Sequence, residues 1–179
     1  MYPLAIALAK DMKYPSDGII DIYTTYGDHL YSKGDFDNAV IEYVRTIGRL
    51  EPSYVIKRFL DAQRIHNLTA YLEALHAAPG QANEDHTTLL LNCYTKLKDL
   101  KKKDLKKLDE FIRTKKDLHF DVDTAIQVLR QAGYHEHALF LAAKYHHHDW
   151  HLKIMLEDAK DFKEALRYIA MLDFFEAEM

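Results

Sequence analysis

From Phe36 onward the apolar side chains fall at Phe36, Ala39, Val40, Tyr43 and Ile47, the i, i+3, i+4, i+7 spacing that lays one stripe along a helix. The spacing returns at Val122, Ala125, Ile126 and Leu129, and again at Tyr134, Ala138, Leu141, Ala142 and Tyr145. A last stripe holds Phe162, Ala165, Leu166 and Ile169. No apolar/polar alternation runs long enough to make a half-buried strand. Between the stripes stand segments with helix-ending or helix-starting chemistry: "SKGD" at 32–35, "EPS" at 51–53, "APGQANED" at 78–85, "HFDVD" at 119–123 and "QAGYHE" at 131–136. Pro52 suits a first helical turn, where its missing N–H costs no hydrogen bond. Gly34 and Gly133 suit the left-handed residue that closes a helix. The pattern predicts an all-α chain of about ten to eleven short helices, each roughly three turns long.

Some of these helices read as copies of one unit. "KGDFDNAVIEY", "QAGYHEHALFL" and "AKDFKEALRYI" each carry a turn and then a small residue, Ala39, Ala138 or Ala165, followed directly by an aliphatic one. Glycine stands five places before the alanine in the first two, and Lys160 takes that place in the third. A weaker copy, "IHNLTAYL", puts Tyr71 at the alanine position, and "LKKLDEFI" puts Phe111 there. A small residue lets two helices approach closely, so the expected architecture is an α-solenoid of antiparallel helical hairpins with an irregular period. Both ends, "MYPLAIALA" and "MLDFFEAEM", present apolar residues, so residues 1–179 read as a single α-solenoid fragment of a longer array.

Five blocks are more particular than this pattern: "YGDHLYSKGDFDNAV", "RTIGRLEPSYVIKRFLDAQRIHNLTAYLEALH", "DHTTLLLNCYTKLKD", "HFDVDTAIQVLRQAGYHEHALFLA" and "LEDAKDFKEALRYI". Together, from about Tyr2 to Leu172, they resemble the vacuolar protein sorting-associated protein eleven family, class C core subunits of the HOPS and CORVET tethering complexes. The resemblance implies a long protein with an N-terminal β-propeller, a solenoid of clathrin heavy-chain-like repeats and a C-terminal RING domain. This chain matches the solenoid; with Cys93 as its one cysteine it is expected to hold neither propeller nor RING. The implied function is that of a non-catalytic scaffold in membrane tethering, vesicle docking and fusion at late endosomes, lysosomes or vacuoles. The implied partners are the other class C subunits, with Rab GTPases and SNAREs reached indirectly. The implied location is cytoplasmic, peripheral on the cytosolic face of those membranes. No enzyme activity, catalytic residue or cofactor comes with this part of the family.

Composition narrows the alternatives. The net charge is −4, from 24 basic and 28 acidic residues, which gives no general electrostatic reason to bind nucleic acid. A lone Cys93 allows no intrachain disulfide and no cysteine-cluster zinc site. No apolar run reaches the length of a membrane span, so a membrane is reached only peripherally.

Candidate chemistry centres on "YHHHDW", residues 145–150, followed by His151. A histidine-based metal-binding or hydrolytic helical module is the alternative function this cluster raises. Consecutive residues on a helix point about 100° apart, so His146, His147 and His148 do not converge, and only His147 and His151 could share a face. Asp149 is expected to cap a helix that starts just after it, which would separate even that pair. The cluster therefore reads as a turn between repeats, with no metal site. Asp28, Asp35 and Asp37 form a possible carboxylate cluster, with Asp35 in N-cap position. Arg64, His66 and Asn67 are expected in a turn, as a possible partner interface. The lysine run from Lys98 to Lys107, with Lys101, Lys102, Lys103, Lys106 and Lys107, is either a patch for an acidic partner or anionic lipid, or a solvated face broken by aspartates.

Overall fold

The computed structural model describes residues 1–12, 16–97, 101–114, 121–158, 160 and 162–178, with the backbone alone at 16, 101–105, 114 and 173–178. Eleven α-helices and one π-helical turn occupy these residues, and no strand is found among them. The helices are α1 (Tyr2–Asp11), α2 (Ser16–Ser32), α3 (Phe36–Val44), α4 (Pro52–Asp61), α5 (Ile65–Ala77) and α6 (Glu84–Lys96). They continue as α7 (Lys101–Thr114), α8 (Val122–Gln131), α9 (His135–Lys144), α10 (His148–Lys153), the π turn (Ile154–Asp158) and α11 (Phe162–Glu178). The chain divides into two compact units, Met1–Cys93 and Tyr94–Met179, with the boundary inside α6.

One joint recurs. The linkers 33–35, 62–64, 132–134 and 145–147 each hold three residues, the middle one left-handed: Gly34 (φ 78°), Gln63 (φ 54°), Gly133 (φ 86°) and His146 (φ 57°). In each, the N–H of the third residue reaches back five residues: Asp35 to Leu30 O (2.9 Å), Arg64 to Phe59 O (2.9 Å), Tyr134 to Leu129 O (2.9 Å) and His147 to Ala142 O (2.8 Å). The middle residue's N–H bonds the carbonyl three back, which completes a Schellman closure. The third residue also caps the next helix, with ψ between 63° and 73° in all four. One helix's end and the next helix's start therefore share a residue, and the two axes must turn sharply against each other.

This joint explains why the alanine position seen in the sequence is buried. Five places after the left-handed residue come Ala39, Leu68, Ala138 and His151, all buried. Lys160, φ 52°, stands in the same relation to buried Ala165, as the alignment with the two glycine copies predicts. Two assignments of the repeat need correction. In α5 the equivalent position is Leu68, not Tyr71, because Gln63 rather than a glycine marks the turn. Phe111 lies within α7, ten residues from its start, and follows no such joint.

The stripes are largely where the spacing puts them. Ala39, Val40 and Tyr43 are buried on α3, as are Ala125, Ile126 and Leu129 on α8 and Ala138, Leu141 and Ala142 on α9. Ile47 is a correction, since α3 stops at Val44 and Ile47 lies in the following turn. The stripe on α11 is another: Phe162, Leu166 and Ile169 are exposed, and only Ala165 is buried. In the first unit the core is completed by Val55, Phe59, Leu72 and Leu75. In the second, the Tyr94 and Phe111 rings meet edge-on at 5.8 Å.

Tyr71, with 0% exposure, is a core residue whose hydroxyl has no hydrogen-bond partner among the described residues. Burial alone pushes its phenol up to about 12. A buried hydroxyl that makes no bond has lost its water without replacement, so Tyr71→Phe should stabilise the chain by about 1 kcal/mol. A lower midpoint in urea for the variant would show that the hydroxyl is paired.

Candidate functional site

The histidine-rich turn is the obvious place to look for chemistry. Its break comes earlier than the sequence suggested: α10 begins at His148 with His147 as its cap, and Asp149 lies within the first turn. Asp149 is therefore not the cap. The reason is the Schellman closure at 145–147, which fixes the next helix to start immediately after its third residue. His151 lies inside α10, its N–H bonded to His147 O at 3.1 Å.

The rings diverge. His147 Nδ1 lies 3.1 Å from Asp123 Oδ1 on α8, and the same oxygen accepts the Trp150 indole N–H at 3.0 Å. His148 Nδ1 lies 2.5 Å from the Tyr168 hydroxyl on α11, and the buried His151 ring stacks on Tyr168 at 4.2 Å. His146 is exposed. A cleft of about 460 Å³ opens between Asp123 and residues 145–150. Among the described residues, no three histidine, cysteine or carboxylate side chains come together as a metal site would need. The site ties α10 to α8 and α11.

The three carboxylates part in the same way. Asp35 caps α3, accepting from the Asn38 N–H at 3.4 Å and the Asn38 side-chain amide at 2.8 Å. Asp37 accepts the Asn67 amide at 2.8 Å. Asp28 receives two phenols, Tyr43 at 2.6 Å and Tyr54 at 2.8 Å, with the Arg58 guanidinium 3.4 Å away. Arg58 also donates to the Tyr54 hydroxyl at 2.7 Å, and its backbone carbonyl accepts from Tyr31 at 2.9 Å. Burial first, and the bond to Asp28 second, hold both the Tyr43 and Tyr54 phenols above their ordinary pKa, so they are neutral donors. This is a polar clamp joining α2, α3 and α4, with no second carboxylate to make an acid/base pair.

The interface candidates at 64–67 are also placed differently. Only Arg64 is in the turn; His66 and Asn67 belong to the first turn of α5. Asn67 is buried, and its side-chain amide is bonded to Asp37. Arg64 and His66 are exposed, with the Arg64 guanidinium 4.5 Å over the Phe36 ring. Of the lysines, Lys106 is exposed on α7 and Lys107 is half-buried. The side chains of Lys101, Lys102 and Lys103, and Lys98 entirely, lie outside the described residues.

Sequence reasoning missed one hub. Arg130 at the end of α8 binds both carboxylates of the π turn, Glu157 Oε2 at 2.5 Å and both oxygens of Asp158. The two acidic side chains are adjacent in "LEDAK", and a regular α-helix would send them about 100° apart. Both nonetheless reach one guanidinium from the π turn, and the string of letters carries no signal for it.

Comparison with known proteins supplies what the geometry leaves open. The PEP5/VPS11 clathrin repeat family model matches residues 31–179. The vacuolar protein sorting-associated protein 11 homologs of Mus musculus and Homo sapiens are each 62% identical over 180 residues, covering 99% of this chain and 18% of theirs. That of Dictyostelium discoideum is 58% identical over 177 residues, with the same two coverages. This chain thus spans less than a fifth of the length of these relatives. The all-α helical hairpins joined by Schellman turns fit an α-solenoid, and the chain belongs to the PEP5/VPS11 clathrin repeat family.

Proposed function

We propose that this chain is a non-catalytic scaffold segment in vacuolar protein sorting, acting by protein–protein contact within a membrane-tethering assembly of the HOPS or CORVET kind. The observation that carries this reading is the identity of 62% over 99% of the chain with relatives named for vacuolar protein sorting. The chemistry agrees with it: the polar clusters bind helix to helix, with Asp28, Asp37, His147 and His148 each held by a structural partner. In such an assembly the segment would join other class C subunits, and would meet Rab GTPases, SNAREs and the cytosolic face of the membrane only through them. Among the described residues no helix is long and apolar enough to cross a membrane. Arg64 and His66 in the first unit, and Lys106 on α7 in the second, are exposed basic groups offered to acidic partners.

The test is capture of each purified class C subunit by the immobilised chain at micromolar concentration. Retention of at least one subunit, reduced in the double variant Arg64→Ala, His66→Ala or in Lys106→Gln, is the expected result. If no subunit is retained at about ten micromolar, the segment contributes under roughly 7 kcal/mol of binding and is not a holding surface.

A further inference from the structure

Two histidines of α10 grip one tyrosine of α11. The His151 ring lies 4.2 Å from that of Tyr168, with the planes 22° from parallel. His148 approaches from another side, its Nδ1 2.5 Å from the phenol oxygen and its ring centroid 5.7 Å from that of Tyr168. Few of the described apolar side chains of this helix are buried. Ala165 is buried, while Phe162, Leu166, Ile169 and Met171 are exposed.

His151 is buried at 8% exposure, and its Nδ1 has no hydrogen-bond partner among the described residues. The Leu139 carbonyl of α9 and Glu164 of α11 are the groups near it that favour a positive charge, and His148 of α10 opposes one. The His146 ring stands 6.0 Å from that of His148. Tyr168 cannot compensate, because burial raises its phenol and keeps it neutral.

We propose that this histidine–tyrosine–histidine contact is a pH-sensitive latch that holds α11 on the second unit at neutral pH and releases it on mild acidification. Protonation makes both nitrogens of an imidazole donors and adds a charge. At His151 that would leave a buried N–H without an acceptor, in a desolvated site beside a second histidine. Burial, as the largest cause, accordingly pulls the His151 pKa below its ordinary 6.5; the Leu139 carbonyl opposes this, and His148 adds to it. A histidine with a depressed pKa in the folded state gives stability that is complete above 6.5 and lost as the pH falls through the folded value. The start of α10 has a separate tie: His147 Nδ1 and the Trp150 indole both meet Asp123 Oδ1 on α8, at 3.1 and 3.0 Å. The start of α10 stays tied to α8, and α11 is the element let go.

Amide hydrogen exchange of the 179-residue chain, corrected for intrinsic pH dependence, tests this directly. Peptides within 162–172 should lose about five- to tenfold of their protection between pH 7.5 and 5.5, since one proton linkage gives at most about tenfold per unit. Peptides from α3 should stay within about twofold over the same interval. His151→Phe keeps a ring against Tyr168 and should abolish the pH dependence. Equal protection of α11 at both pH values, or an undiminished loss in His151→Phe, would overturn the latch. Should His151→Phe not fold, His148→Gln keeps a polar group beside the phenol and removes the neighbouring imidazole that opposes a charge on His151. It should halve the loss, and a loss equal to that of the wild type would equally overturn the proposal.

Discussion

Asp28→Ala should destabilise the chain by about 3 kcal/mol, the cost of leaving a short charge-assisted hydrogen bond and a guanidinium without their acceptor. Asp28 Oδ1 receives the Tyr43 hydroxyl at 2.6 Å and Oδ2 receives that of Tyr54 at 2.8 Å. Tyr43 is fully buried, so its phenol finds no water when the carboxylate is gone. Arg58, partly exposed with its guanidinium 4.6 Å over the Tyr54 ring, loses its counter-charge but keeps access to solvent. That exposure is why the estimate stays near 3 kcal/mol and does not approach the upper end for a deeply buried pair. Asp28→Asn retains one acceptor and should cost about half as much. Urea denaturation with unchanged m-value is the measurement. A loss under about 0.5 kcal/mol for the alanine variant would mean that the clamp contributes nothing net.

Gly27→Ala should destabilise by about 2 kcal/mol, although alanine is ordinarily better than glycine inside a helix by about 1 kcal/mol. Gly27 lies in the interior of α2, and a Cβ built there meets the Tyr43 ring at 2.8 Å from Cε1 and 3.0 Å from Cδ1 and Cζ. The ring has nowhere to move. Its hydroxyl is bound to Asp28, Phe59 meets it edge-on at 6.0 Å, and Tyr54 does so at 6.5 Å. Overpacking of a fixed core costs about 1–3 kcal/mol, more than the propensity gain. In a Tyr43→Leu background the clash is absent, and the same alanine should become neutral or stabilising. A Gly27→Ala variant as stable as the wild type in the natural background would show that the ring yields. Because both substitutions act on Tyr43, their effects are not expected to add.

Much of the fold was legible before any tertiary contact was known. A stripe at i, i+3, i+4, i+7 fixes both the type of an element and its buried face, so Ala39, Val40, Tyr43, Ala125, Ile126 and Leu129 were found from spacing. Pro52 and Asp35 marked their helix starts because they act on backbone within one turn of themselves. Glycine marked the joints at 34 and 133 for the same reason. The joints at Gln63 and His146 went unmarked, since a side chain that tolerates the left-handed region under tertiary pressure leaves no letter to read. Missing His146 shifted the cap from His147 to Asp149.

What sequence alone determined, then, is whatever depends on neighbours along the chain: the all-α class, the helical periods, the caps, and through family-specific blocks the repeat family itself. Tertiary structure decided which partner each polar side chain takes. Asp28 chose Tyr43 and Tyr54, Asp37 chose Asn67, His147 chose Asp123, and Arg130 chose two acidic residues of a π turn. The physical reason is distance along the chain. Such partners lie 15 to 30 residues apart, brought together only when helices pack, and a carboxylate or imidazole by itself is equally suited to catalysis, to metal and to holding two helices together.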